Sequence, residues 1–90
     1  MRKENATVGN GYGIHCRPSA LIAQAAAEYE SEITVHTANG GEADATSVLA
    51  LIGLGIQYGD RVEIRAAGPD EEAALEAVAA LFKRNFDFQR

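Results

Sequence analysis

The chain has no tryptophan and only one cysteine, Cys16. A lone thiol excludes an intrachain disulfide framework and fits a reducing compartment. Histidine is nearly as scarce. His15, His36 and Cys16 are the only His and Cys residues, too few and too badly spaced for a zinc site, so no metal is expected. Eight Lys and Arg stand against thirteen Asp and Glu, a net charge of −5. That balance argues against binding the phosphate backbone of nucleic acid. No apolar run approaches the length of a membrane span, so no membrane insertion is expected. Met1-Arg2-Lys3-Glu4-Asn5 turns polar at once, unlike a secretory signal. The expected location is therefore the cytoplasm.

What is present is a globular composition, 47% apolar and 23% charged over 90 residues. Residues 1–90 are expected to form one domain with a small core. One stretch stands out, Gly13-Ile14-His15-Cys16-Arg17-Pro18. Pro18 suits the first turn of a helix, where its missing N–H costs nothing. His15 is then expected at or just before a helix N-terminus, beside backbone N–H groups that lack partners. Such an end attracts anions, and Arg17 adds a fork of donors. Positive potential there disfavours the imidazolium and keeps His15 neutral and nucleophilic. The same potential would stabilise a phosphoryl group added to the ring.

The rest of the chain supplies the scaffold. A weak strand is expected near Glu4–Val8, then a glycine-rich loop from Gly9 to Gly13 as a flexible lead-in. That loop lacks the lysine and spacing of a phosphate-binding Walker motif. From Cys16 to Glu30 the period is helical, with Pro18, Leu21, Ile22, Ala25, Ala26 and Tyr29 on one face. Ile33 and Val35 point inward from a strand that turns at Asn39-Gly40. Glu42–Ala45 is small-sided, as an edge strand tolerates. His36 is expected solvated at its strand's end, without a role. Thr46 or Ser47 can cap a short helix that Gly53-Leu54-Gly55 ends. Arg61–Ala67 alternates most clearly, with Val62, Ile64 and Ala66 inward. Gly68-Pro69-Asp70 opens a last helix facing the core with Ala74, Leu75, Val78, Leu81 and Phe82. Phe86 and Phe88 follow in the tail. The order βαββαβα, with one-faced strands and amphipathic helices, predicts an α+β fold: a four-stranded antiparallel sheet covered on one face by three helices.

Gly, a branched apolar residue, His, Ala, Arg and Pro form the phosphorylation-site signature of the histidine-containing phosphocarrier (HPr) family of the phosphoenolpyruvate-dependent sugar phosphotransferase system. Gly13–Pro18 resembles it throughout except for Cys16 in place of Ala, a small residue where alanine would fit. The element order also matches the HPr open-faced sandwich. The resemblance implies a carrier without cofactor. His15 would take phosphate from Enzyme I and pass it to Enzyme II components, including Enzyme IIA, with Arg17 as the main side-chain partner. It would do so through a phosphohistidine rather than as a stand-alone enzyme, and as a monomer. The resemblance also places the family's regulatory serine on Ser47, counting back from Gly55-Ile56 with one extra residue near Gly40-Gly41. An HPr serine kinase/phosphorylase would then be a further partner. The surroundings, Thr46-Ser47-Val48-Leu49, differ from the usual Lys-Ser-Ile-Met.

Two other classes compete. One is a regulatory module on the same fold, either on a nitrogen-type phosphotransferase branch or with a transcription-factor partner. The other is an enzyme using Cys16 or His15 on a small substrate. Against the enzyme, the chain offers little room for a deep pocket and no oriented base. Val48, Leu49, Ile52 and Leu54 cannot all be buried under a two-turn helix. They are expected to leave an apolar docking patch, which the resemblance to the HPr fold implies lies on the same side as His15, with Leu49 and Ile52 as its exposed pair and Leu51 in the core.

Overall fold

The computed structural model describes residues 1–11, 13, 14 and 16–84. Seven elements follow in the expected order: β1 (Arg2–Thr7), α1 (Cys16–Ala26), β2 (Glu32–Thr37), β3 (Glu42–Asp44), α2 (Val48–Gly53), β4 (Arg61–Ala67) and α3 (Glu71–Lys83). The strands form one antiparallel sheet in the order β1-β4-β2-β3. The first and last strands in that list are therefore edges. β3 is short, as its small residues predicted, and β1 carries Arg2, Lys3 and Glu4, charges that discourage edge-to-edge pairing.

Alternation decides which face of the sheet is covered. Ala6 on β1, Ile33 and Val35 on β2, Ala43 on β3, and Val62, Ile64 and Ala66 on β4 are all buried. They meet Ile22, Ala23 and Ala26 of α1, Leu51 of α2, and Ala74, Leu75, Val78, Ala79 and Phe82 of α3 in one core. The opposite face carries Lys3, Asn5, Glu63, Arg65 and Thr34 and is left open. No helix among the described residues is long and apolar enough to cross a membrane.

Four local expectations change. α1 ends at Ala26 rather than Glu30. Glu28 and Tyr29 donate to carbonyls only three residues back, Ala25 and Ala26, so the helix tightens and stops. Its inner face is rotated too: Ser19 and Ala23 are buried beside Pro18, Ile22 and Ala26, while Leu21, Ala25 and Tyr29 are only partly covered. These small side chains suit the close approach of α1 to α3. On α3, Ala79 is buried and Leu81 is only partly so. His36, next to last in β2, is partly sheltered rather than solvated. Its Nε2 is 2.9 Å from Thr34 Oγ1 and its Nδ1 3.9 Å from Glu42 Oε1. Cross-strand neighbours on β3 and β4 shelter it. Phe86 and Phe88 lie outside the described residues.

Candidate functional site

His15 also lies outside the described residues, and the site is built from its neighbours. Cys16 is the first residue of α1 and is exposed, as is Arg17. Pro18 is the helix's third residue and is buried. The first turn of an α-helix leaves N–H groups without intrahelical partners, and the helix dipole adds positive potential. No acidic side chain in α1's first turn offsets it. Arg17 has no carboxylate partner among the described residues. Position 15 therefore immediately precedes an anion-attracting helix end with an available guanidinium.

The described residues of the loop leading to this point are fastened to the fold by hydrogen bonds. Val8 donates to the Asp60 carbonyl at 2.8 Å and accepts from the Gly59 N–H at 3.0 Å. Gly9 N–H donates to the carbonyl of Phe82 at 3.0 Å, and its Cα lies so close to α3 that a Cβ would sit 2.1 Å from the Lys83 oxygen. Asn10 is fully buried. Its Nδ2 donates to the Gly13 carbonyl at 2.5 Å, while Gly13 N–H donates back to the Asn10 carbonyl at 2.9 Å. Gly13 has φ +79, and a Cβ there would lie 2.5 Å from the Ile56 oxygen. Only glycine meets both demands. Ile14 N–H then donates to that same Ile56 carbonyl at 2.9 Å. Sequence reasoning missed Asn10 because an asparagine among glycines reads as ordinary turn chemistry.

Ser47 caps α2: its Oγ accepts from the Ala50 N–H at 3.2 Å. Thr46 is not the cap. Its N–H and Oγ1 both donate to Asp44 Oδ1, at 2.9 and 2.7 Å. The backbone N–H of Thr46, with help from its hydroxyl, holds the Asp44 carboxyl below the usual aspartate range.

Of the apolar residues on α2, Leu51 is fully buried, as expected. Val48 and Leu54 are half-buried against the core, and Leu49 is 82% exposed. Ile52 is half-buried rather than open, and it lines a recess of about 490 Å³. Gly11 and Ile14 from the loop and Gly55, Ile56, Gln57 and Tyr58 complete that recess. The loop that ends beside position 15 and the last turn of α2 thus share one surface. Tyr58 is 66% exposed, and nothing in its turn sequence marked it as part of this surface.

The model of the PTS HPr component phosphorylation site matches residues 2–84. Over 85 residues the chain is 36% identical to the phosphocarrier protein HPr of Mycoplasma genitalium, covering 94% of this chain and 97% of that protein. Over 85 residues it is 38% identical to the phosphocarrier protein NPr of Escherichia coli K12, covering 94% of each. Among solved structures it superimposes on HPr from Thermoanaerobacter tengcongensis with a TM-score of 0.89 at 32% identity, covering both chains fully. HPr from Bacillus anthracis gives 0.85 at 31% identity, covering 90% of this chain and 95% of that one. With the expected fold present and the family's sequence running nearly end to end, the chain belongs to the HPr family of the phosphotransferase system and is a phosphocarrier.

Proposed function

We propose that His15 is the phosphoryl acceptor, charged by an Enzyme I-type donor using phosphoenolpyruvate and discharged to Enzyme IIA components. The observation that carries this reading is the start of α1: exposed Arg17 without a carboxylate partner among the described residues, and a first turn free of acidic side chains, immediately after His15. Arg17 and the helix N–H groups would hold the phosphoryl oxygens, and the backbone donors leave the helix end attractive to anions without Arg17. A carrier must also give its phosphate up, so modest stabilisation suits it better than tight binding. Docking is assigned to Leu49 and Ile52, flanked by Val48 and Leu54, on the surface shared with the loop. Phosphorylation of Ser47 by a serine kinase would place about −1.5 to −2 charges at the edge of this surface and weaken docking. The carrier acts in the cytoplasm as a monomer.

A second reading, service in a nitrogen-type phosphotransferase branch, is favoured by the 38% identity to the Escherichia coli NPr protein. The chemistry at His15 is the same on either reading; the donor and acceptors differ.

Incubation with phosphoenolpyruvate and Enzyme I, read by intact mass, tests the assignment. One phosphoryl group should appear, acid-labile and base-stable as a phosphoramidate is, and it should be absent from His15→Ala. An adduct that persists in His15→Ala would remove His15 from its role.

A further inference from the structure

Asn10 is the one fully buried side-chain amide described, and it lies in the loop that delivers position 15. Burying an amide is unfavourable unless it is hydrogen-bonded. Here its Nδ2 donates to Gly13 across three residues, and the Gly13 N–H closes the ring on the Asn10 carbonyl. The two bonds join Asn10 and Gly13 reciprocally. The turn is anchored at both ends, by Gly9 on the Phe82 carbonyl of α3 and by Ile14 on the Ile56 carbonyl after α2. Ile14 is the residue before position 15, and Cys16, the residue after it, begins α1. The chain is therefore held on both sides of the acceptor, and on the loop side the bridge passes through one amide.

We propose that Asn10 is a positioning residue for phosphoryl transfer, fixing the approach of the chain to His15 by bridging Gly13 from within the fold. The inference rests on the His15 reading above. A loop needed only to connect β1 to α1 could be short and solvated, and its backbone groups would find water. A buried amide instead excludes water and selects one loop shape, with Gly13 held at φ +79 against the Ile56 carbonyl. Misplacing a reacting group by about an ångström from outside the site can cost on the order of 100-fold in rate. Leu49 and Ile52 lie on α2, outside the loop that Asn10 bridges, although Gly11 and Ile14 share Ile52's surface, so the larger effect belongs in the maximal transfer rate and the smaller in donor affinity.

The test is Asn10→Ala, with Asn10→Ser in reserve should the alanine variant not fold, since a serine hydroxyl is one bond too short to repeat the bridge. The control is Val35→Ala, a core truncation in β2 far from the loop. Transfer from Enzyme I is measured over a range of donor concentrations and corrected for the folded fraction. Asn10→Ala should lower the maximal rate roughly tenfold or more, with a smaller change in the half-saturating donor concentration. Val35→Ala should lower thermal stability and leave both parameters alone. Amide exchange, which needs no donor, should show protection lost selectively at Gly13 and Ile14 in Asn10→Ala. A folded Asn10→Ala with the wild-type maximal rate would overturn the proposal, as would an equal loss in Val35→Ala. If even the wild type accepts no phosphate, the His15 reading fails, and exchange decides for Asn10 separately. Retained protection at Gly13 and Ile14 then refutes its role, and selective loss supports it.

Discussion

α2 and α3 are both rich in apolar residues, yet they spend them in opposite ways. α3 turns Ala74, Leu75, Val78, Ala79 and Phe82 inward and leaves Glu72 and Glu76 outside. α2 buries one residue fully, Leu51, and presents Leu49 almost entirely to solvent. The helices also begin differently. Ser47 spends its hydroxyl on α2's own third N–H. Asp70, at the cap position of α3, makes no side-chain cap bond and reaches away instead. It accepts from the Glu30 and Ser31 N–H groups, both at 2.9 Å, and from the Ser31 hydroxyl at 2.6 Å. α3 is thus tied into the fold along its face and at its start, whereas α2 is a short self-capped helix with one fully buried leucine and partly buried neighbours. A helix that serves only stability hides its hydrophobes. One that keeps a leucine in water, on the helix whose Ile52 shares a surface with the loop, fits the docking role proposed above.

The largest effect should come from breaking α3. Phe82 is fully buried, and Phe82→Ala should destabilise the domain by about 3–5 kcal/mol, measured by chemical denaturation. A loss below about 1 kcal/mol would mean that α3 is not the wall described. The start of α3 gives a smaller, pH-dependent effect. The Ser31 hydroxyl first, then the Glu30 and Ser31 N–H groups, hold the Asp70 carboxyl below the ordinary aspartate range. Its folded pKa is therefore lower than its unfolded one. Its contribution to stability is fully present above the unfolded value, about 4, and is lost as pH falls through the folded value. Asp70→Asn should be less stable than wild type at neutral pH, and the difference should shrink on acidification below about pH 4. A difference independent of pH would show that the charge on Asp70 contributes nothing.

Much of this was legible in the sequence, for reasons that can be named. The Arg61–Ala67 strand sits where its strict alternation placed it, because a period of two leaves one register for a half-buried strand. The split between Leu51 and Leu49 followed from asking how many apolar residues a two-turn helix can bury. The inner face of α1 was misread because alanines and a serine carry little periodic signal, and packing against α3 chose Ser19 and Ala23 over Leu21 and Ala25. His36 was read as solvated because its partial shelter comes from neighbours on β3 and β4. Asn10 was invisible for the same kind of reason. The residues on either side of its turn, Gly9 and Ile14, are tied to Phe82 and Ile56, more than forty positions away in sequence.

The claim that α2 is the docking helix and α3 the structural one is tested most directly by placing the same charge on the exposed surface of each. Leu49→Asp and Ala80→Asp both alter exposed positions and should each change stability by no more than about 0.5 kcal/mol. The rate of phosphoryl acceptance from Enzyme I is then compared at low donor concentration, where docking governs it. The account predicts that Leu49→Asp accepts phosphate markedly more slowly than wild type while Ala80→Asp keeps the wild-type rate. Equal rates for the two folded variants, or a loss confined to Ala80→Asp, would contradict it.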